Sequence, residues 1–161
     1  MNNKDFEVLI NKNKDSIWRL CRMYIAETER CKDMYQDIII QIWKSLPSFK
    51  GQSSIETWIY RIAINTCIKA SLKIRRYEKE MSLEDFERNL QTLPESENER
   101  YESLYLCISK LGNIDKVLIG LYLEEQPYKE IAQVLGITEN HVAVKLTRVK
   151  KTLQNCLLVP V

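Results

Sequence analysis

The chain has 161 residues, 45% of them hydrophobic and 29% charged, with only four glycines and four prolines. That balance excludes a disordered chain and disfavours a turn-rich sheet protein, and no apolar run is long enough to span a bilayer. The net charge of +2 hides a partition: residues 1–76 carry 14 Lys and Arg against 8 Asp and Glu, residues 77–100 carry 3 against 8, and residues 101–161 carry 7 against 6.

A basic block, an acidic stretch and a near-neutral block predict two modules and a linker. The start, Met1-Asn2-Asn3-Lys4-Asp5-Phe6, has no apolar run behind a basic end, so no signal peptide is read and a cytoplasmic location is expected. Cysteines at 21, 31, 67, 107 and 156 form no C-x-x-C pair, and His141 is the single histidine. No metal or other cofactor is therefore expected, and the cysteines read as reduced, buried thiols.

The first predicted helix runs from Asp5 to Ala26, with Phe6, Leu9, Ile10, Ile17, Leu20, Cys21 and Tyr24 near helical spacing. A second, from about Arg30 to Leu46, buries Met34, Ile38, Ile39, Ile42, Trp43 and Leu46, and Pro47 ends it. Its polar side carries Asp33, Gln36 and Asp37. Asp33 and Asp37 stand at i and i+4, a spacing open to a metal or acid–base pair, but a polar contact face for a protein partner fits better.

The stretch Ser48–Ser54 reads as a loop, with Ser53 or Ser54 capping a third helix over about 55–76. Ile55, Trp58, Ile59, Ile62, Ala63 and Thr66 form its expected buried stripe. Thr57, Tyr60, Arg61, Ile64, Asn65, Ile68 and Lys69 form the other face. Aromatic rings stack on unpaired bases while cations follow the backbone, so Trp58, Tyr60, Arg61 and the basic end suit single-stranded nucleic acid. The Asn65 amide suits a base edge, and equally a neighbouring loop.

Residues 77–97 lose the helical pattern and read as an acidic linker, with a short helix possible over 83–90. The second module, 98–161, predicts helices at about 98–110, 114–124, 127–135 and 138–155. Asn113 is the expected cap of the second, Pro127 opens the third, Gly136 closes it, and Thr138 caps the fourth. The last two helices, joined at Gly136-Ile137-Thr138, have helix-turn-helix form. Ile131, Ala132, Leu135, Ile137, Val142, Leu146, Val149 and Leu153 face inward. Glu139, Asn140, His141, Val144, Lys145, Arg148 and Lys151 face outward, where polar side chains can read base edges and cations can neutralise phosphates. An ordinary helical hairpin has the same spacing; the clustering of Lys145, Arg148, Lys150 and Lys151 on one helix favours DNA. The fold class is thus all-α, two small helical domains joined by an acidic linker.

Taken together, Asp15–Cys21, Asp33–Leu46, Phe49–Thr66 and the helix-turn-helix resemble, in that order, the extracytoplasmic-function (ECF) sigma factors of bacterial RNA polymerase. The resemblance implies a non-enzymatic subunit that confers promoter recognition on the polymerase core. Domain 1–76 would correspond to region two and domain 98–161 to region four. Asp33, Gln36 and Asp37 would meet the clamp coiled coil of the largest subunit, with further polymerase contact at the flap. Phe49, Lys50, Gly51, Ser53, Ser54, Trp58, Arg61 and Asn65 would hold the −10 element, one base of it extruded. Asn140, His141, Val144, Lys145, Arg148 and Lys151 would face the −35 element. An anti-sigma factor is an expected partner. The chain departs from the family at Met34-Tyr35, bulkier than the usual aliphatic pair, at Asp37 where Glu is frequent, and at Pro127 in place of a Ser or Thr cap. A stand-alone helix-turn-helix regulator, its first module serving for dimerisation, is the alternative; it predicts duplex binding without polymerase.

Overall fold

The computed structural model describes residues 2–25, 27–80 and 99–158. The described residues form seven α-helices and one short 3-10 turn, distributed over two compact units, Met1–Pro94 and Glu95–Val161.

In the first unit, α1 spans Asn3–Tyr24, α2 spans Thr28–Ser45 and α3 spans Ile55–Glu80. Asn2 starts α1: its side-chain oxygen accepts the Asp5 amide at 2.9 Å, filling one of the donors a helix start leaves open. The helix buries Ile17, Leu20, Cys21 and Met23, and its buried Asn13 is satisfied by donating to the Leu9 carbonyl at 2.9 Å. α2 buries Cys31, Met34, Ile38 and Ile42, a strip at i, i+3, i+7 and i+11. Pro47 turns the chain out of α2 into the 3-10 turn Leu46–Ser48. Trp43 departs from its expected core position: its side chain is half exposed and meets Phe6 edge-on, with centroids 4.8 Å apart.

α3 packs against both α1 and α2, so it buries a wider face than one stripe. Its buried residues are Thr57, Ile59, Tyr60, Ala63, Ile64 and Cys67. This corrects the expected stripe: Tyr60 and Ile64, placed on the open face by the sequence, are core residues, while Ile55, Trp58, Ile62 and Thr66 are half-buried. The cause is the second partner helix, which rotates the centre of burial round the axis. α3 also runs past Arg76 to Glu80, since nothing from Tyr77 to Glu80 breaks a helix. The rest of the predicted linker, 81–97, with the short helix suggested inside it, lies outside the described residues.

In the second unit, α4 spans Glu99–Ser109, α5 Asn113–Leu123, α6 Tyr128–Leu135 and α7 Glu139–Leu158. Its core is Ile108, Val117, Leu118, Leu121, Ile131, Val142, Leu146, Val149 and Leu153. Two cap expectations shift by one residue: Gly112, not Asn113, precedes α5, and Pro127 stands just before α6. In both cases no side chain caps the helix.

The cysteines divide, against the expectation of five reduced thiols. Cys21, Cys31 and Cys67 are free and fully buried, one from each helix of the first unit. Cys107 and Cys156 are joined by a disulfide across α4 and α7, with Cα atoms 5.9 Å apart. Their 49-residue separation in sequence concealed the pairing, because packing of α4 on α7, not chain proximity, brings them together.

Candidate nucleic-acid interface

The turn between α6 and α7 is built from the backbone outward. Gly136 takes φ +68°, the left-handed conformation that a β-carbon disfavours. No atom lies within 4 Å of where its β-carbon would stand, so torsion alone demands glycine there. The amides of Gly136 and Ile137 both turn back to the Ala132 carbonyl, the latter at 3.1 Å, closing α6. Thr138 then accepts the His141 amide on its hydroxyl at 3.1 Å, starting α7 as its sequence predicts.

With Val142, Leu146, Val149 and Leu153 buried, helical phase fixes what α7 presents. Asn140, His141, Val144, Arg148 and Lys151 are exposed and Lys145 is half-buried. Amides and cations thus stand where they can approach a duplex, and exposed Val144 suits the methyl group of thymine. Lys150 is excluded from this face. Its ammonium sits 4.1 Å over the Tyr122 ring, a cation–π contact that ties α7 to α5. Ile137, expected among the inward residues, is half-buried in the turn.

In the first unit, the loop after the 3-10 turn folds back on α3. Phe49 packs against Trp58 with centroids 5.3 Å apart and rings tilted by 51°. Gly51 adopts φ +71° at the loop tip, again with open space about its missing side chain. Ser54 is the cap of α3: its hydroxyl accepts the Thr57 amide at 3.1 Å and donates to the Thr57 hydroxyl at 2.8 Å. Ser53 instead donates to the Ser54 carbonyl at 3.1 Å. Lys50, Arg61 and Asn65 are exposed.

Trp58, Arg61 and Asn65 follow i, i+3 and i+7 along one side of α3. By helical rise Asn65 stands about 10 Å beyond Trp58. Exposed Lys69 and Lys73 continue that side at four-residue intervals, which makes a polar and cationic track on α3. Tyr60 leaves the set of stacking candidates because it is core. The Phe49–Trp58 contact was hidden in the sequence, where no periodicity relates a loop residue to a helix residue nine positions on.

On α2, Asp33, Gln36 and Asp37 are all exposed on the side opposite Met34, Ile38 and Ile42. Met34 faces the core, and Tyr35 is half-buried with its ring edge-on to Trp18 at 6.1 Å. The bulky pair is therefore absorbed by packing within the unit. Among the described residues, no three His, Cys, Asp or Glu side chains gather as a metal-binding group, and no helix is long and apolar enough to cross a membrane.

Comparison with known families matches residues 9–77 to sigma-70 region 2 and residues 101–153 to sigma-70 region 4. The chain is 30% identical to the RNA polymerase sigma factor YlaC of Bacillus subtilis, over 89% of this chain and 92% of that one. It is 28% identical to the ECF RNA polymerase sigma-E factor of Haemophilus influenzae, over 94% and 87% of the two chains. Among solved structures, the sigma factor RpoE in complex with the anti-sigma factor NepR from Bartonella quintana shares the fold with a TM-score of 0.70 at 17% identity, covering 98% of this chain and 99% of that one. CnrH in complex with the cytosolic domain of CnrY gives 0.68 at 17% identity, covering 97% and 89%.

Proposed function

The chain belongs to the sigma-70 family as an ECF-type sigma factor, and on that premise we propose how its residues divide the work of transcription initiation. A sigma factor binds the RNA polymerase core and promoter DNA and directs initiation. In our reading it does so here without chemistry of its own, in the cytoplasm where the polymerase acts.

We assign Asp33, Gln36 and Asp37 to the polymerase. Three hydrogen-bonding side chains exposed on one side of α2 offer a polar surface to basic or amide groups of the clamp coiled coil. The −10 element falls to the loop Phe49, Lys50, Gly51, Ser53 and Ser54 with Trp58, Arg61 and Asn65. Extruding a base costs a few kcal/mol, which a preformed pocket must return. The observation that carries this reading is the Phe49–Trp58 contact, which folds the loop back beside the Arg61–Asn65 side of α3. In this division Ser54 shapes the loop, since its hydroxyl is engaged in capping. The −35 element falls to Asn140, His141, Val144, Lys145, Arg148 and Lys151, supported by their common side of α7. An anti-sigma factor is the partner we expect when the protein is idle, as two structures of like fold hold a sigma factor or its counterpart with such a partner or a cytosolic domain.

The test is reconstitution of the full chain with core polymerase, reading core affinity and initiation from promoters selected by transcript sequencing. The double variant Gln36→Ala, Asp37→Ala should bind core at least about tenfold more weakly while keeping its helical circular dichroism. Unchanged affinity would remove α2 from the polymerase contact.

A further inference from the structure

The Cys107–Cys156 bond lies apart from the residues assigned to the polymerase and to promoter DNA. It joins the buried Cys107 of α4 to the half-exposed Cys156 near the end of α7. The stretch between them, whose ends are separated by 49 positions in sequence, contains α5, α6 and most of α7, so the bond encloses the whole helix-turn-helix. A module of about sixty residues has a small core, and a cross-link over so long a loop removes much unfolded-chain freedom.

A sigma factor works beside the polymerase, in a compartment that keeps most thiols reduced, where disulfides are usually transient or sensing. The inference rests on that functional reading. We propose that Cys107 and Cys156 are a reversible redox modification site, which clamps the helix-turn-helix module when oxidised and releases α4 from α7 when reduced.

The reactant is a low-molecular-weight disulfide of the glutathione class. The more accessible Cys156 thiolate attacks one sulfur of that disulfide, forming a mixed disulfide and expelling one small thiolate. The Cys107 thiolate then attacks the Cys156 sulfur, closing the protein disulfide and expelling the second. The two protons lost by the protein thiols pass to the two small thiols, so one disulfide is consumed and one formed. Reduction is the same path in reverse. Cys21, Cys31 and Cys67 do not compete, because each is fully buried in the first unit and inaccessible to a small disulfide.

The full-length protein is equilibrated in glutathione buffers from fully reducing to fully oxidising, quenched in acid, alkylated after unfolding and mapped by mass spectrometry. The Cys107–Cys156 link should pass from open to closed inside that range, with the other three cysteines recovered as thiols. A link that stays closed throughout, or never forms, overturns the proposal. In parallel, reductant should lower the Tm of the second module by at least about 8 °C. It should leave the Tm of Cys107→Ser and Cys156→Ser unmoved. Equal Tm values for the native protein with and without reductant would also overturn it. Core-polymerase binding is read in the same buffers. Its absence in both redox states would refute the functional reading while leaving the thiol result standing.

Discussion

At the residue scale, the role proposed for Asn65 separates binding from opening. It is exposed on the cationic side of α3, about 10 Å of helical rise beyond the Trp58 that supports the loop. An amide both donates and accepts, as a base edge requires, and carries no charge with which to hold the strand. Asn65→Ala should therefore reduce promoter opening about tenfold, read by permanganate reactivity of unpaired thymines, with core affinity changed less than twofold. Equal loss in both measurements would place Asn65 outside the base contact. Arg61, Lys69 and Lys73 differ in kind, because their contribution to affinity would fall with added salt.

At the element scale, two turns of the second module solve the same problem with different residues. After α6, Gly136 takes the left-handed conformation at no steric cost. After α5, Glu125 takes φ +59° with a β-carbon in place, and the Gln126 amide closes the turn on the Leu121 carbonyl at 3.1 Å. A non-glycine residue pays about 1–2 kcal/mol there, and glycine gives back part of that through its greater freedom when unfolded. Gly136→Ala should destabilise the module by about 1 kcal/mol, and Glu125→Gly should stabilise it by about 0.5 kcal/mol. Urea denaturation at fixed redox state checks both, and a change of the same sign for the two variants would contradict these backbone assignments.

At the scale of the whole molecule, the two units answer to different conditions. The thiols of the first unit meet in its core. Hydrogen bonding to Cys21, with burial, pushes the Cys31 thiol far up. At Cys21 the hydrogen bond with Cys31 acts downward, but the bond with Cys67 and burial outweigh it, and that thiol is raised too. Burial likewise raises Tyr24. Below about pH 8.5 unfolded thiols are protonated as well, and these groups leave stability unaffected by pH. Above it the unfolded chain sheds protons that the native chain keeps, so stability falls as pH rises. The first unit should lose about 2 kcal/mol or more between pH 8 and pH 10. All three tryptophans, Trp18, Trp43 and Trp58, lie in that unit, so their fluorescence in a urea titration reports it alone. An unchanged midpoint would show that the thiols ionise freely in the folded protein.

The sequence by itself determined the helices, the cap at Thr138, the left-handed turn at Gly136 and, apart from the half-buried Lys145, the outward set on α7. These follow from local torsion, capping and a period of 3.6 residues, which act within a few positions of the chain. It also carried enough ordered motif to identify the family. Only the tertiary structure decided that Tyr60 is core, that Phe49 lies on Trp58, that Lys150 turns to Tyr122 and that Cys107 meets Cys156. Each of those depends on which second element packs against the first. Periodicity states that a helix has a buried side, but the number and direction of its partners set how wide that side is and where it points.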